Sequence, residues 1–131
     1  MLMEEKFNEA TVNRPEGDRA IDSTHLLLDL PSLIQQIKTE DAWQKNDRNA
    51  ITIFKTSGMR IVLVAMHAHA EMQTHTTDGN LSVQVLEGII QFKTPDASLV
   101  INKGQLVTLH GGIAHSVLAS EESVFMLTIA Q

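Results

Sequence analysis

At 131 residues, the chain has the length of a single domain that buries a core without disulfides or metal. Sixteen acidic residues against ten basic ones give a formal charge of −6, and since no run of Lys or Arg occurs, nucleic-acid binding is not expected. The chain contains no cysteine, which excludes disulfides, iron–sulfur clusters, thiolate zinc sites and cysteine nucleophiles.

The N-terminal part of the chain is predicted to be a polar arm over residues 1–24, followed by a single domain over residues 25–131. Residues 13–18 (Asn-Arg-Pro-Glu-Gly-Asp) are typical of a turn, and few apolar residues are present to anchor the arm. Residues 1–6 lack the apolar core of a signal peptide, and no stretch is long enough to cross a bilayer. We therefore expect a cytoplasmic protein without membrane contact.

The pattern changes to a helical one over residues 26–45. Pro31 suits the first turn of a helix, and Asp29 or Ser32 can cap that turn. The apolar residues that follow recur at helical spacing. We expect one or two short helical turns between Pro31 and Lys45, covering one end of a barrel.

From Ala50 onward the chain reads as short β-rich runs separated by turns. The runs cover residues 51–54, 60–66, 81–86, 89–93, 98–101, 106–109, 116–118 and 124–129. Short strands at regular turn spacing are typical of a sandwich or barrel and not of a βαβ fold. The pattern predicts an all-β domain, an antiparallel barrel of six to eight strands from about Ala50 to Gln131.

Two segments bounded by glycines carry histidines. The first reads His69, five residues, His75-Thr-Thr77, three residues, Leu81, six residues, Gly88. The second reads Gly104, five residues, His110-Gly-Gly112, two residues, His115, three residues, Ala119, and fifteen residues separate the segments.

This arrangement resembles the two paired motifs of the cupin superfamily, in particular its small single-domain members of the cupin-2 conserved barrel group. The resemblance covers about residues 50–130 and implies a double-stranded β-helix, the cupin jelly-roll barrel. In the family, three histidines and a glutamate from these motifs hold a metal. Here Thr77 stands where the family has its second histidine, and Leu81 stands where it has the glutamate.

The resemblance implies a ligand pocket formed by His75, Thr77, Leu81 and His115. Of the four family metal ligands only His75 and His115 remain, and a catalytic metal normally needs three protein ligands. A divalent transition metal (Ni, Zn, Fe or Mn) would therefore require a further histidine, and we expect substoichiometric metal at most.

Three other histidines are candidates for the third metal ligand: His69, His67 and His110. His67 and His69 continue the strand face of Ile61, so they can also be hydrogen-bonded barrel residues, and His110 can be a turn residue. No pairing of a nucleophile with a base is evident, and no catalytic residue is assigned.

Three functions remain open from the sequence. The first is a small-molecule-binding cupin whose barrel pocket is lined by histidines. The alternative is a metal-dependent small cupin enzyme, of the dioxygenase or isomerase type, using His75, His115 and a third histidine. The last is a protein-interaction or structural module. A homodimer is also expected, with the N-terminal arm added to a sheet edge.

Overall fold

Eleven strands and two short helices form within residues 6–8 and 19–131, the part of the chain that the computed structural model describes. The helices are α1 (Leu30–Thr39) and α2 (Asp41–Lys45). The strands are β1 (Lys6–Asn8), β2 (Arg19–Asp22), β3 (Arg48–Lys55), β4 (Met59–Met66), β5 (Glu71–His75), β6 (Leu81–Glu87), β7 (Ile89–Lys93), β8 (Ser98–Asn102), β9 (Leu106–Leu109), β10 (His115–Ala119) and β11 (Ser123–Ala130). The turn predicted at residues 13–18 lies outside the described residues. Within the described ranges, no helix is long and apolar enough to cross a membrane.

The helices form in the segment that the sequence predicted, but they cover the outer face of the larger sheet and not one end of the barrel, because their apolar residues pack on the outer side of β4. The side chain of Asp29 caps α1 by accepting a hydrogen bond from the backbone N–H of Ser32 at 3.3 Å, and Pro31 occupies the first turn. The chain becomes extended at Glu40, which ends α1 and begins α2. Both helices are short, so their stability depends on burying one face against the strands.

Nine antiparallel strands form two facing sheets, with the orders β3-β4-β11-β6-β9 and β5-β10-β7-β8. The predicted all-β double-stranded β-helix is confirmed. The strand number is larger than the predicted six to eight because β5 was missed. Its sequence, Glu-Met-Gln-Thr-His, is mostly polar and exposed, since β5 lies at a sheet edge. A strand of this composition gives no alternating apolar signal.

Strand β4 is apolar on both faces. Val64 and Met66 point into the barrel, where they pack in the main core with Phe92 and Phe125. Leu63 lies on the outer face and packs in a second core with residues of α1 and α2. The barrel interior is therefore closed by side chains, while the helices cover the outside of the larger sheet.

A lysine of α1 ties the helix to the end of the barrel opposite the histidine pair described below. Lys38 Nζ lies 2.8 Å from Glu87 Oε1 and 3.0 Å from Glu122 Oε2. Burial lowers the pKa of Lys38, but hydrogen bonds and charge from Glu87 and Glu122 outweigh it, so that its pKa lies above the ordinary value. A raised lysine pKa means that folding favours the charged form.

Replacing Lys38 by Met is expected to lower the free energy of unfolding by about 0.2–1 kcal/mol at neutral pH, the usual range for an exposed ion pair. Because the pKa of Lys38 is higher in the folded state, its contribution is fully present below roughly pH 10.4, the unfolded value, and is lost as the pH rises through the folded value. Urea unfolding at neutral and strongly alkaline pH measures the difference. Lys45→Met, on α2, is the control, and an equal loss there would contradict the assignment.

Candidate functional site

Two histidines meet at one end of the barrel. His75 ends β5 and His115 begins β10, and the antiparallel register places the two residues opposite each other. Their ring centroids are 4.4 Å apart, with the ring planes tilted by 59°. Phe92 stacks on the His115 ring with a centroid separation of 5.5 Å. His115 is only 4% exposed and His75 is exposed, so the pair runs from the core to the barrel mouth.

Backbone carbonyl groups fix the orientation of both rings. His75 Nδ1 lies 2.8 Å from the carbonyl oxygen of Gln73, and His115 Nδ1 lies 2.9 Å from that of Ile113. A carbonyl oxygen can only accept, so each Nδ1 carries the proton and donates. In the neutral rings each Nε2 therefore presents a lone pair, and among the described residues neither Nε2 has a hydrogen-bond partner.

The other two predicted pocket residues have structural roles close to the pair. Thr77 is half-buried, and its hydroxyl donates to the carbonyl oxygen of Gly79 at 3.1 Å. Leu81 is 4% exposed and packs in the barrel core. Thr77, at the family's second-histidine position, therefore stabilises a loop, and Leu81, at the glutamate position, fills part of the core. Neither side chain is a good ligand for a transition metal.

His67 and His69 lie away from the pair. The His67 ring stacks on Trp43 of α2 at 3.5 Å, and its Nε2 lies 2.9 Å from the Trp43 carbonyl oxygen, on the outer face of the barrel. His69 has a φ of 72°, and its backbone N–H donates to the carbonyl oxygen of Ala119. Ala119 is at the end of β10 opposite His115, roughly 13 Å along the strand.

His110 follows β9 at the same end of the barrel as the pair. It is exposed and lines a separate groove of about 290 Å³ with Ser82, Thr108 and Thr128. In the described part of the chain, no group of three or more His, Asp or Glu side chains could hold a metal ion. The donor set therefore does not fit the family's metal centre.

Arg60, near the start of β4, is a cavity-lining residue that the sequence did not indicate. It pairs with Ile129 of β11 and lines a cavity of about 510 Å³ at the barrel mouth. Thr76, Thr77 and Asp78 line the same cavity. The sequence feature that could have located Arg60 is the alternation of side chains along β4, which places Arg60 on the same face as Val62 and Val64. Because both faces of β4 are apolar, the sequence did not indicate which face is inside.

Two glycines allow the loop that follows His75 to approach neighbouring backbone segments closely. A Cβ atom on Gly79 would lie 1.4 Å from the carbonyl oxygen of Ala130, and one on Gly111 would lie 2.2 Å from that of Asp78. Only glycine permits such close approach of backbone to backbone. The loop wall of the cavity is therefore held by the end of β11 and by the loop after β9.

No family model matches the chain, and no curated protein matches it. Several solved structures do match the chain. A conserved protein of unknown function from Streptococcus pyogenes is 19% identical with a TM-score of 0.68, over 85% of this chain and 91% of that one. A cupin-2 domain protein from Shewanella frigidimarina is 17% identical with a TM-score of 0.65, over 80% and 95%.

A further solved structure, an RmlC-like cupin from Desulfovibrio desulfuricans, is 24% identical with a TM-score of 0.59, over 63% of this chain and 81% of that one. Identities at this level show the fold alone. Together with the two facing antiparallel sheets and the paired histidine motifs, they establish that the chain is a small domain with the cupin fold.

Neutral His75 and His115 are expected to carry their protons on Nδ1, because each Nδ1 donates to a backbone carbonyl. Long-range ¹H–¹⁵N spectra at about pH 8, where imidazoles are ordinarily neutral, distinguish the two tautomers by nitrogen shift. His110, whose ring has no hydrogen-bond partner among the described residues, is the control and should give averaged shifts. Nε2 protonation of either His75 or His115 would contradict the geometry.

Gly79→Ala is expected to destabilise the domain by on the order of 1–3 kcal/mol, since its methyl group would overlap the Ala130 carbonyl. Gly58→Ala is the matched control. A Cβ there would meet nothing closer than 4.0 Å, so its effect should stay within about 0.5 kcal/mol. Urea unfolding of both variants provides the comparison. Equal stabilities would show that the loop moves freely away from β11.

Proposed function

We propose that the chain is a small-molecule-binding protein of cupin fold that holds its ligand at the barrel mouth through His75 and His115. The observation that carries this proposal is the tethering of both Nδ1 atoms to backbone carbonyls. It leaves two fixed Nε2 atoms on rings whose centroids are 4.4 Å apart, a separation that one small ligand can span.

The surroundings of the pair favour a partly apolar ligand with at least one polar group. Phe92 stacks on the His115 ring, so the buried side of that ring is apolar. The two Nε2 lone pairs accept hydrogen bonds from hydroxyl or amide groups. A site of this kind, apolar with a few placed polar groups, is typical of small-ligand pockets.

The same contacts support binding over catalysis. A histidine that acts as a strong general base is commonly oriented by a carboxylate, which also stabilises the charged ring. Here both rings are oriented by uncharged carbonyl groups. The alternative of a metal-dependent enzyme needs a third ligand beside His75 and His115, and the described residues supply none. Homodimer formation and a cytoplasmic location remain predictions.

Saturation-transfer NMR with a panel of neutral polyols, amides and sugars tests the proposal. Compounds that bind the unaltered protein are expected to lose at least about tenfold in affinity in His75→Ala, because a hydrogen bond and ring contact are removed. His75 is exposed, so this variant should fold. His110→Ala, an exposed histidine at the same end of the barrel, is the matched control and should bind normally.

Unchanged binding in His75→Ala and in His115→Gln would contradict the proposal. Elemental analysis of protein purified without chelator addresses the alternative. We expect well under one transition metal per chain. One metal per chain, lost in His115→Gln, would favour the metal-dependent enzyme.

A further inference from the structure

The guanidinium group of Arg60 lies in an unusual position for a cation. Arg60 stands opposite Ile129, a buried core residue of β11, and shares the inward face of β4 with Val62 and Val64. Its Nε atom is buried. An inward-facing arginine among aliphatic residues loses much of its hydration, so it normally requires an anionic or hydrogen-bonding partner.

Arg60 has no such partner among the described residues. Its Nε makes no hydrogen bond, and no carboxylate of the described chain lies within ion-pair distance of its guanidinium. Lys38, by contrast, contacts two glutamates at the other end of the barrel. Within residues 19–131, Arg60 is therefore an inward-facing cation without an anionic partner.

The cavity beside Arg60 is large enough for such a ligand. Its volume of about 510 Å³ is within the range of small-molecule pockets, roughly 300–1,000 Å³. The cavity is lined by Thr76 and Thr77, which directly follow His75. The cavity and the histidine pair therefore adjoin at one barrel mouth.

The charges around the cavity favour a single negative charge on the ligand. Arg60 is the one cationic side chain that lines it, and Asp78, exposed at its rim, is the one anionic side chain among the described residues. A carboxylate matches one guanidinium in charge and accepts two parallel hydrogen bonds from it. A phosphate dianion would keep an unneutralised charge close to Asp78.

We propose that Arg60 binds the carboxylate group of a small organic acid at the barrel mouth. This inference rests on the proposed function of the mouth as the ligand site, and it specifies the ligand class. The carboxylate pairs with the guanidinium, and hydroxyl or amino groups elsewhere on the ligand donate to His75 and His115.

Propionate and propionamide are the probes, because they differ in charge and hardly in shape. Amide shifts of residues 76–79, followed by NMR titration, report binding. Propionate is expected to bind at least about tenfold more tightly than propionamide, and Arg60→Gln should remove this difference. Lys55→Gln removes the same charge from the neighbouring residue on β3 and should leave the difference unchanged.

Two further variants strengthen the test. Asp78→Asn removes the rim charge and should tighten propionate binding several-fold. Should Arg60→Gln fail to fold, Arg60→Lys keeps the charge without the planar fork and should weaken propionate severalfold while preserving its advantage over propionamide. Equal binding of the two probes to the unaltered protein would overturn the proposal, as would tighter binding of inorganic phosphate than of propionate.

His75→Ala separates this inference from the proposed function. Propionate has no donor for the imidazoles, so it should bind His75→Ala as tightly as the unaltered protein. That result would support carboxylate binding by Arg60 even if neutral compounds do not bind and the proposed function of the histidines is therefore wrong. A loss of propionate binding in His75→Ala that equals the loss in Arg60→Gln would overturn an independent carboxylate site.

Discussion

The central position of β11 is the constraint on which the rest of the structure depends. This strand pairs with β4 along all eight of its residues and with β6 on its other side, so its backbone groups are satisfied within the sheet. Phe125 faces the barrel core, and Val124 faces the helices. Because one strand contributes to both cores, the barrel and its helical cover cannot repack independently.

The positions of the candidate site residues are set by this five-stranded sheet and by the four-stranded sheet that faces it. The five-stranded sheet presents Arg60 and Leu81 at the mouth, in register through Ile129 of β11. The four-stranded sheet presents His75 and His115, which are opposite one another on β5 and β10. These four side chains thus project from paired strands, and the loop after His75 is held by the close backbone approach of Gly79 to Ala130. Side chains fixed in this way lose little conformational entropy on binding a ligand.

Much of the fold followed from the sequence, because its strands are apolar and its glycines bound them. The spacing from His75 to Gly88, and from Gly104 to His115, also indicated the paired motifs. Strand β5 was missed because Met72 is the only apolar residue among its five. The inward position of Arg60 was missed because alternation on β4 marks two faces without showing which one is inside, and the helices that cover the outer face come from another part of the chain.

The stacking of Trp43 on His67 has an optical consequence. Trp43 is the only tryptophan of the chain, and its ring centroid lies 3.5 Å from that of His67, which stands seven residues after Arg60, just beyond the end of β4. A distance of roughly 20 Å separates it from the barrel mouth. Its fluorescence therefore follows the packing of α2 on the barrel. A ligand at the mouth is too far away to contact the indole, so we expect Trp43 to report on folding and not on ligand binding.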